Sequence, residues 1–225
     1  MNLRICLQNT KPYPYQTRMD KVDIVYYINL DHRTDRKEEI LEWIAESGFP
    51  LTKVERVPAI HVPVKGYIGC LLSHMKTLET FIKTSHRTCI VFEDDYVPMT
   101  VEKFWPNIGK IFETNIAFDV VLCAYNELRS TETEHPFLRK MISATTSSGY
   151  MITREYAPIL LEHWKESLHF MMGEEGVAKY PYSYMTDIYW HKLMPIHNWY
   201  TFYPRLGIQR PSYSDIILTN TNYHA

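Results

Sequence analysis

Cys89-Ile90-Val91-Phe92-Glu93-Asp94-Asp95-Tyr96-Val97-Pro98 is the stretch on which the reading of this chain turns. Four apolar residues run without a break, and three acids follow them. An unbroken apolar run of this length suits a strand covered on both faces, as in the sheets of α/β proteins. The acids then fall at the carboxyl edge of that sheet, where open α/β sheets bind ligands. Carboxylates packed side by side repel unless a cation offsets them. Hard oxygen ligands at such a place suit Mg²⁺ or Mn²⁺, usually together with substrate phosphates. The same triplet also reads as an acidic turn that caps the next helix, because Asp is enriched in caps and turns.

The flanking sequence supplies the rest of an α/β pattern. Val22–Leu30 is a second near-continuous β-favouring run. A helix follows over Thr34–Ser47, with Ile40, Leu41 and Ile44 on one face and Gly48 as its stop. A strand is predicted at Lys53–Pro58, and a helix opens at Gly66–Gly69 with Cys70, Leu71, His74, Leu78, Phe81 and Ile82 at helical spacing. Beyond the acids, Val101–Phe112 reads as a helix containing a proline and Phe118–Cys123 as a strand. The charged segment Glu127–Arg139 reads as a flexible loop. Ser143–Ile152 reads as strand and turn, Arg154–Ser167 as a helix, Pro181–Leu193 as helical in its second half and Asn198–Tyr203 as a strand. Thr10–Asp20 reads as an arm, and Gly207–Ala225 as a polar tail wrapping the surface. Strands that alternate with helices predict an α/β fold with a mostly parallel sheet. No composition break divides residues 1–225, so one domain is expected, with an arm at 1–20, a core at 22–217 and a tail at 218–225.

Composition narrows the class. An apolar fraction of 45% and a charged fraction of 22% are those of a globular chain able to bury a core. A net charge of -2 offers no bulk basic field for nucleic acid or an anionic membrane. The 17 Tyr and 5 Trp suit stacking on flat rings or sugar faces, and equally the filling of a core. The four cysteines, Cys6, Cys70, Cys89 and Cys123, show no CxxC spacing and no metal-ligand pattern with His. They read as small buried hydrophobes in a reducing compartment. No signal-like or membrane-spanning run is visible, so the expected location is cytoplasmic, in a bacterium or in the host cytosol of a virus.

Several further stretches carry candidate chemistry. Asn29-Leu30-Asp31-His32-Arg33-Thr34-Asp35-Arg36 joins a strand to a helix start, which suits anions, and Arg33 and Arg36 add donors for phosphate or a base. The same residues also read as a capped helix with surface ion pairs. The segment lacks both GxGxxG and GxxxxGK[ST]. In Gly66–His74, Ser73 and His74 are either ligand contacts or satisfied core residues. Ser147-Ser148-Gly149-Tyr150 is either room for an acceptor or an ordinary turn. Asp187 lies among aromatics, where burial would raise its pKa and suit it to proton abstraction; a helix cap is the alternative. Gln209 to Ile216 reads as a polar loop.

Taken in order, Ile28-Asn29-Leu30 with Arg33, Asp35 and Arg36, then Ala59-Ile60, Gly69-Cys70 with Ser73-His74, Val91-Phe92-Glu93-Asp94-Asp95, Ser148-Gly149-Tyr150, Asp187, and Gln209 with Ser214-Asp215-Ile216 resemble the glycosyltransferase family 25 domain. That family includes bacterial lipooligosaccharide and procollagen galactosyltransferases. Leu71 stands where the family often has a small residue, and the run Tyr180–Trp190 is unusually aromatic. The resemblance implies a GT-A-type fold, a UDP-hexose donor (galactose or glucose), Mn²⁺ or Mg²⁺, and inversion at the anomeric carbon. The acceptor would be a hydroxyl of a glycan or of a hydroxylated protein side chain. Asn29, Leu30, Arg33, Asp35 and Arg36 would serve the nucleotide, with Ser73, His74, Glu93 and Asp94 also contributing to the donor pocket. Asp95, with Glu93, would hold the metal, and Asp187 would be the general base. Two other classes fit the acids: an inactive nucleotide- or glycan-binding domain of the same fold, and another metal-dependent phosphate-handling enzyme.

Overall fold

Side chains along the first and third strands alternate between two apolar layers, and this alternation builds the protein. In β1 (Ile24–Asn29), Ile24, Tyr26 and Ile28 point into one cluster, whereas Val25 and Tyr27 point into the other. In β3 (Thr88–Glu93), Cys89 and Val91 join the first cluster and Ile90 and Phe92 the second. Successive residues of a pleated strand face opposite sides, so only a continuous apolar run can serve both layers. The computed structural model describes residues 19–173, 181–214 and 219–221. The expected arm before Met19, Tyr180, the Asp215-Ile216 pair and the tail beyond Thr221 lie outside the described residues.

The remaining elements follow from these two layers. The strands are β2 (Val54–Pro58), β4 (Tyr96–Pro98), β5 (Val120–Leu122), β6 (Asn126–Glu132), β7 (Leu138–Thr145), β8 (Gly149–Thr153), β9 (Trp199–Phe202) and β10 (Gly207–Gln209), followed by a β11–β12 hairpin (Ser212–Ser214, Thr219–Thr221). The main sheet has eight strands in the order β2-β1-β3-β8-β5-β9-β7-β6. β2, β1, β3, β5 and β9 share one direction, and β8 and β7 run against their neighbours. The result is a mixed α/β fold with a large, mostly parallel central sheet flanked by helices, as the alternating pattern predicts. α2 (Gly66–Ile82) and α4 (Ala157–Met172) cover the first layer through Leu71, Leu78, Phe81, Leu160 and Trp164. α1 (Thr34–Glu46) and α3 (Val101–Ile111) cover the second through Ile40, Trp43, Ile44, Phe104, Trp105 and Ile108. α1 stops at Gly48, whose φ of +80° is the left-handed conformation that ends helices. Among the described residues no helix is long and apolar enough to cross a membrane.

Two segments differ from their sequence expectation. Glu127–Arg139 is not a loop: Asn126–Glu132 and Leu138–Thr145 pair as an antiparallel hairpin at the edge of the sheet. Its charge is that of an edge strand in water, shown by the Arg139–Glu132 pair at 2.8 Å. Nor does the start of the polar tail simply wrap the surface. Gly207–Gln209 pairs antiparallel with Tyr96–Pro98, placing Gln209 opposite Tyr96 and beside the acids. The stretch before β9 is broken into a 3-10 turn at Pro181–Tyr184, a short α5 (Thr186–Tyr189) and a second 3-10 turn at Trp190–Lys192.

Candidate active site

β1 and β3 are parallel neighbours, so Asn29 and the acids leave the sheet at the same edge. Asn29 is buried; its Nδ2 donates to Asp94 Oδ2 at 2.8 Å and to the Arg33 carbonyl at 2.9 Å. Arg36 is 6% exposed and donates through Nη1 to Asp94 Oδ1 at 2.9 Å, with Asp95 Oδ2 at 3.6 Å. Part of the countercharge that the acid triplet needs is therefore supplied from within the chain. Both oxygens of Asp94 are engaged, which makes it a tether between the start of α1 and the end of β3. Burial raises the pKa of Asp94 even against the Arg36 charge.

Asp95 and Glu93 are less fully satisfied. Gln209 Nε2 donates to Asp95 Oδ2 at 3.1 Å, whereas Asp95 Oδ1 is buried with no hydrogen-bond partner among the described residues. Burial, and next the negative charge of Glu93, push the Asp95 carboxyl up to about 7. Burial also acts to raise Glu93, but contacts from His74 and Ser147 outweigh it and hold Glu93 below the usual carboxylate range. Ser147 Oγ donates to Glu93 Oε1 at 2.6 Å. His74 Nε2 lies 3.2 Å from the same oxygen, and His74 Nδ1 lies 3.1 Å from the Tyr150 hydroxyl.

Two clefts open at this edge. The first, about 700 Å³ with its open mouth, runs from Asn29, Leu30 and Arg36 past Ser73 and His74 to Glu93, Asp94 and Asp95. The second, about 810 Å³ measured in the same way, is lined by Tyr67, Asn126, Thr146, Ser147, Tyr182 and Asp187 among others. Cys70, Glu93 and Gln209 border both. A ligand that spans the two must pass the shared wall.

Asp187 sits at the N-terminal turn of α5, and its Oδ2 accepts the Thr146 backbone N–H at 2.9 Å. Thr146 has a φ of 78°, a strained setting for a β-branched residue. Its side chain is held as well, with Thr146 Oγ1 donating to Gln209 Oε1 at 3.1 Å. Gln209 thus connects Asp95 to Thr146, and Thr146 connects to Asp187. Burial raises the Asp187 carboxyl, and the charge of Glu93 pushes the same way.

The fold gathers Asn29, Leu30, Arg36, Ser73, His74, Glu93, Asp94 and Asp95 on the first cleft and Asp187 on the second. Arg33 and Asp35 are not among the lining residues; they pair with each other at 2.9 Å at the start of α1, and that pairing holds the Asp35 carboxyl well below its usual range. Ser73 is engaged structurally, as its Oγ donates to the Gly69 carbonyl at 2.6 Å and accepts the Ile60 N–H at 2.8 Å. Sequence reasoning missed Asn126 and Thr146; it had Ser147 as room for an acceptor or an ordinary turn, Cys70 as a small buried hydrophobe, and Gln209 as loop outside the family resemblance. The spacing Cys70-x-x-x-His74 was a usable signal, because residues four apart share one helix face. No sequence pattern marks Thr146, and periodicity and spacing do not mark Gln209, because their contacts are made across the fold.

Gly69 explains why α2 can close the first cleft. A Cβ placed there would stand 2.3 Å from the Ile60 carbonyl oxygen, a backbone atom with little room to yield. Gly69→Ala is expected to push the Ala59–Val62 wall outward and to destabilise the fold by about 1–3 kcal/mol. Thermal melting, paired with nucleotide titration, checks this; an unshifted melting temperature would show that the wall gives way freely.

No family model matches the chain, and no curated protein matches it. Its structure is similar to a glycosyltransferase involved in the glycosylation of the major capsid of PBCV-1, at 10% identity over 85% of this chain and 94% of that one, with a TM-score of 0.49. It is similar to UDP-glucose pyrophosphorylase complexed with UDP-glucose, at 8% identity over 80% of this chain and 90% of that one, TM-score 0.49. It is also similar to mannose-1-phosphate geranyltransferase from Thermus thermophilus, at 10% identity over 84% of this chain and 74% of that one, TM-score 0.48. At such identities and scores, function has to be read from the geometry of the two clefts.

Proposed function

We propose that the protein is a metal-dependent, inverting glycosyltransferase of GT-A type that moves a hexose from a UDP-sugar to an acceptor hydroxyl. The observation that carries this reading is the meeting of two clefts at Glu93 and Gln209, with the under-partnered Asp95 on one side and the half-buried Asp187 on the other. The first cleft would take the nucleotide diphosphate, and the second the acceptor.

The residues present fit a hard divalent ion. An ionised Asp95 offers a buried carboxylate oxygen with no partner among the described residues, and hard oxygen donors are what Mn²⁺ and Mg²⁺ select. Asp95, with Glu93, would hold that ion, which when bound supplies positive charge to the leaving diphosphate. Arg36 adds a fixed guanidinium at the same edge. Asp187 would take the proton of the acceptor hydroxyl as its oxygen bonds to the anomeric carbon; the bond from that carbon to the diphosphate oxygen breaks, and its electron pair leaves with UDP. A carboxyl raised by burial is a stronger base than an exposed one, and the Thr146 N–H fixes its orientation.

The test is thermal denaturation with UDP and a panel of UDP-hexoses, with and without Mn²⁺, followed by donor consumption. A ligand of the native state alone, at about a hundred times its Kd, adds about 2.7 kcal/mol. A Mn²⁺-dependent rise with UDP and with one UDP-hexose is expected. A second reading is favoured by one observation: Arg36 already pairs with Asp94 and approaches Asp95. An inactive nucleotide- or glycan-binding domain would show a ligand shift indifferent to Mn²⁺, with no donor consumed.

A further inference from the structure

We propose that Cys70, His74 and Glu93 form a thiophilic metal site at the junction of the two clefts, one that takes Zn²⁺ or a similar soft divalent ion and that competes for Glu93 with the hard ion at Asp95. The Sγ of Cys70, a ring nitrogen of His74 and a carboxylate oxygen of Glu93 all lie within 4.8 Å of one another. Cys70 and His74 are four residues apart on α2 and so share a helix face. The 3.2 Å between His74 Nε2 and Glu93 Oε1 matches the roughly 3.3 Å between two ligands on a tetrahedral ion with bonds of about 2.0 Å. Cys70 borders both clefts, so the site is reachable from either and its fourth position opens to them.

The support around the triad also fits. A metal-bound imidazole usually donates its other N–H to a fixed acceptor. With Nε2 given to an ion, Nδ1 carries the hydrogen and donates to the Tyr150 hydroxyl at 3.1 Å. Tyr150 and Trp164 pack against the His74 ring. The set of one sulfur, one nitrogen and one oxygen differs from the all-oxygen donors that Mn²⁺ prefers, and it selects zinc-like ions. Binding exchanges the His74–Glu93 contact for two metal bonds and releases the Cys70 thiol proton to solvent. An ion held there occupies the wall shared by the clefts and withdraws Glu93 from them, so it competes with any ligand that spans both. The site rests on its own geometry, whichever ligand the clefts take.

Co²⁺ serves as the spectroscopic stand-in for Zn²⁺. Titrating the purified, reduced protein with Co²⁺ is expected to produce a thiolate-to-cobalt charge-transfer band in the near ultraviolet. Visible bands of tetrahedral intensity should accompany it, saturating at one equivalent and disappearing on addition of Zn²⁺. Cys70→Ser is expected to lose the charge-transfer band, and Tyr150→Phe to raise the Co²⁺ dissociation constant about tenfold or more. No charge-transfer band in the unaltered protein overturns the proposal, as does a band undiminished in Cys70→Ser. Cys70→Ala takes over if the serine variant fails to melt cooperatively.

Discussion

Asp187→Asn is expected to leave nucleotide binding intact and to lower sugar transfer by about 10²–10⁴-fold, the usual contribution of a general base. The geometry makes this substitution clean. Asp187 Oδ2 accepts the Thr146 N–H, and the amide oxygen of Asn can accept the same bond. The strained Thr146 backbone therefore keeps its support, and its N–H is not left without an acceptor. The change removes the capacity to take a proton, together with a carboxyl whose ionisation partial burial opposes. Comparing kcat with the dissociation constant for UDP checks the split. Full turnover in the variant would strike Asp187 from the mechanism. A loss of UDP affinity equal to the loss of turnover would recast it as a structural residue.

Asp95→Asn should act in two opposite directions. Transfer is expected to fall about a hundredfold or more, since the charge stabilisation lost with a metal ligand is worth several kcal/mol. The Mn²⁺-dependent part of the UDP thermal shift should vanish with it. Stability of the metal-free protein, by contrast, should hold or rise. The Asp95 carboxyl stands at about 7 in the fold against an unperturbed 3.8, so the native state binds more protons than the unfolded chain between those values. Native stability therefore falls as pH rises from about 4 through about 7, and the penalty is fully present above that window. Asn has no such proton to lose, and the variant's melting temperature should be flatter across the window. Parallel slopes for the two proteins would remove Asp95 as the titrating group.

β1, β3 and the helix that follows β1 were legible because local pattern and tertiary burial agree there. Val25, Tyr26 and Tyr27 face alternate layers, and only a strand buried on both sides requires that run. The hairpin from Asn126 to Thr145 was not legible, because an edge strand is charged for the same reason a loop is. The acids were visible as a candidate ligand site, but their relation to Arg36 was not. Neighbouring carboxylates call for a cation, and nothing in the spacing says that a guanidinium 58 residues earlier in the chain supplies part of it. Ser147, Thr146 and Gln209 act through contacts 54, 41 and 114 residues long in sequence, which no local pattern encodes. Cys70 and His74 are the opposite case: the spacing was present, and only the meeting with Glu93 gives it meaning.

The ladder between Tyr96–Pro98 and Gly207–Gln209 has a consequence for the order in which the protein comes into being. During synthesis the acids emerge from the ribosome more than a hundred residues before Gln209. Until that late strand arrives, Asp95 lacks the Gln209 amide and Thr146 lacks the acceptor for its hydroxyl. Closing so long a loop is among the slower events of folding. The nascent chain can thus build its β1–β3 core early while the carboxylate centre stays open. The carboxylate centre is completed late, by the segment that reads most like an afterthought in the sequence.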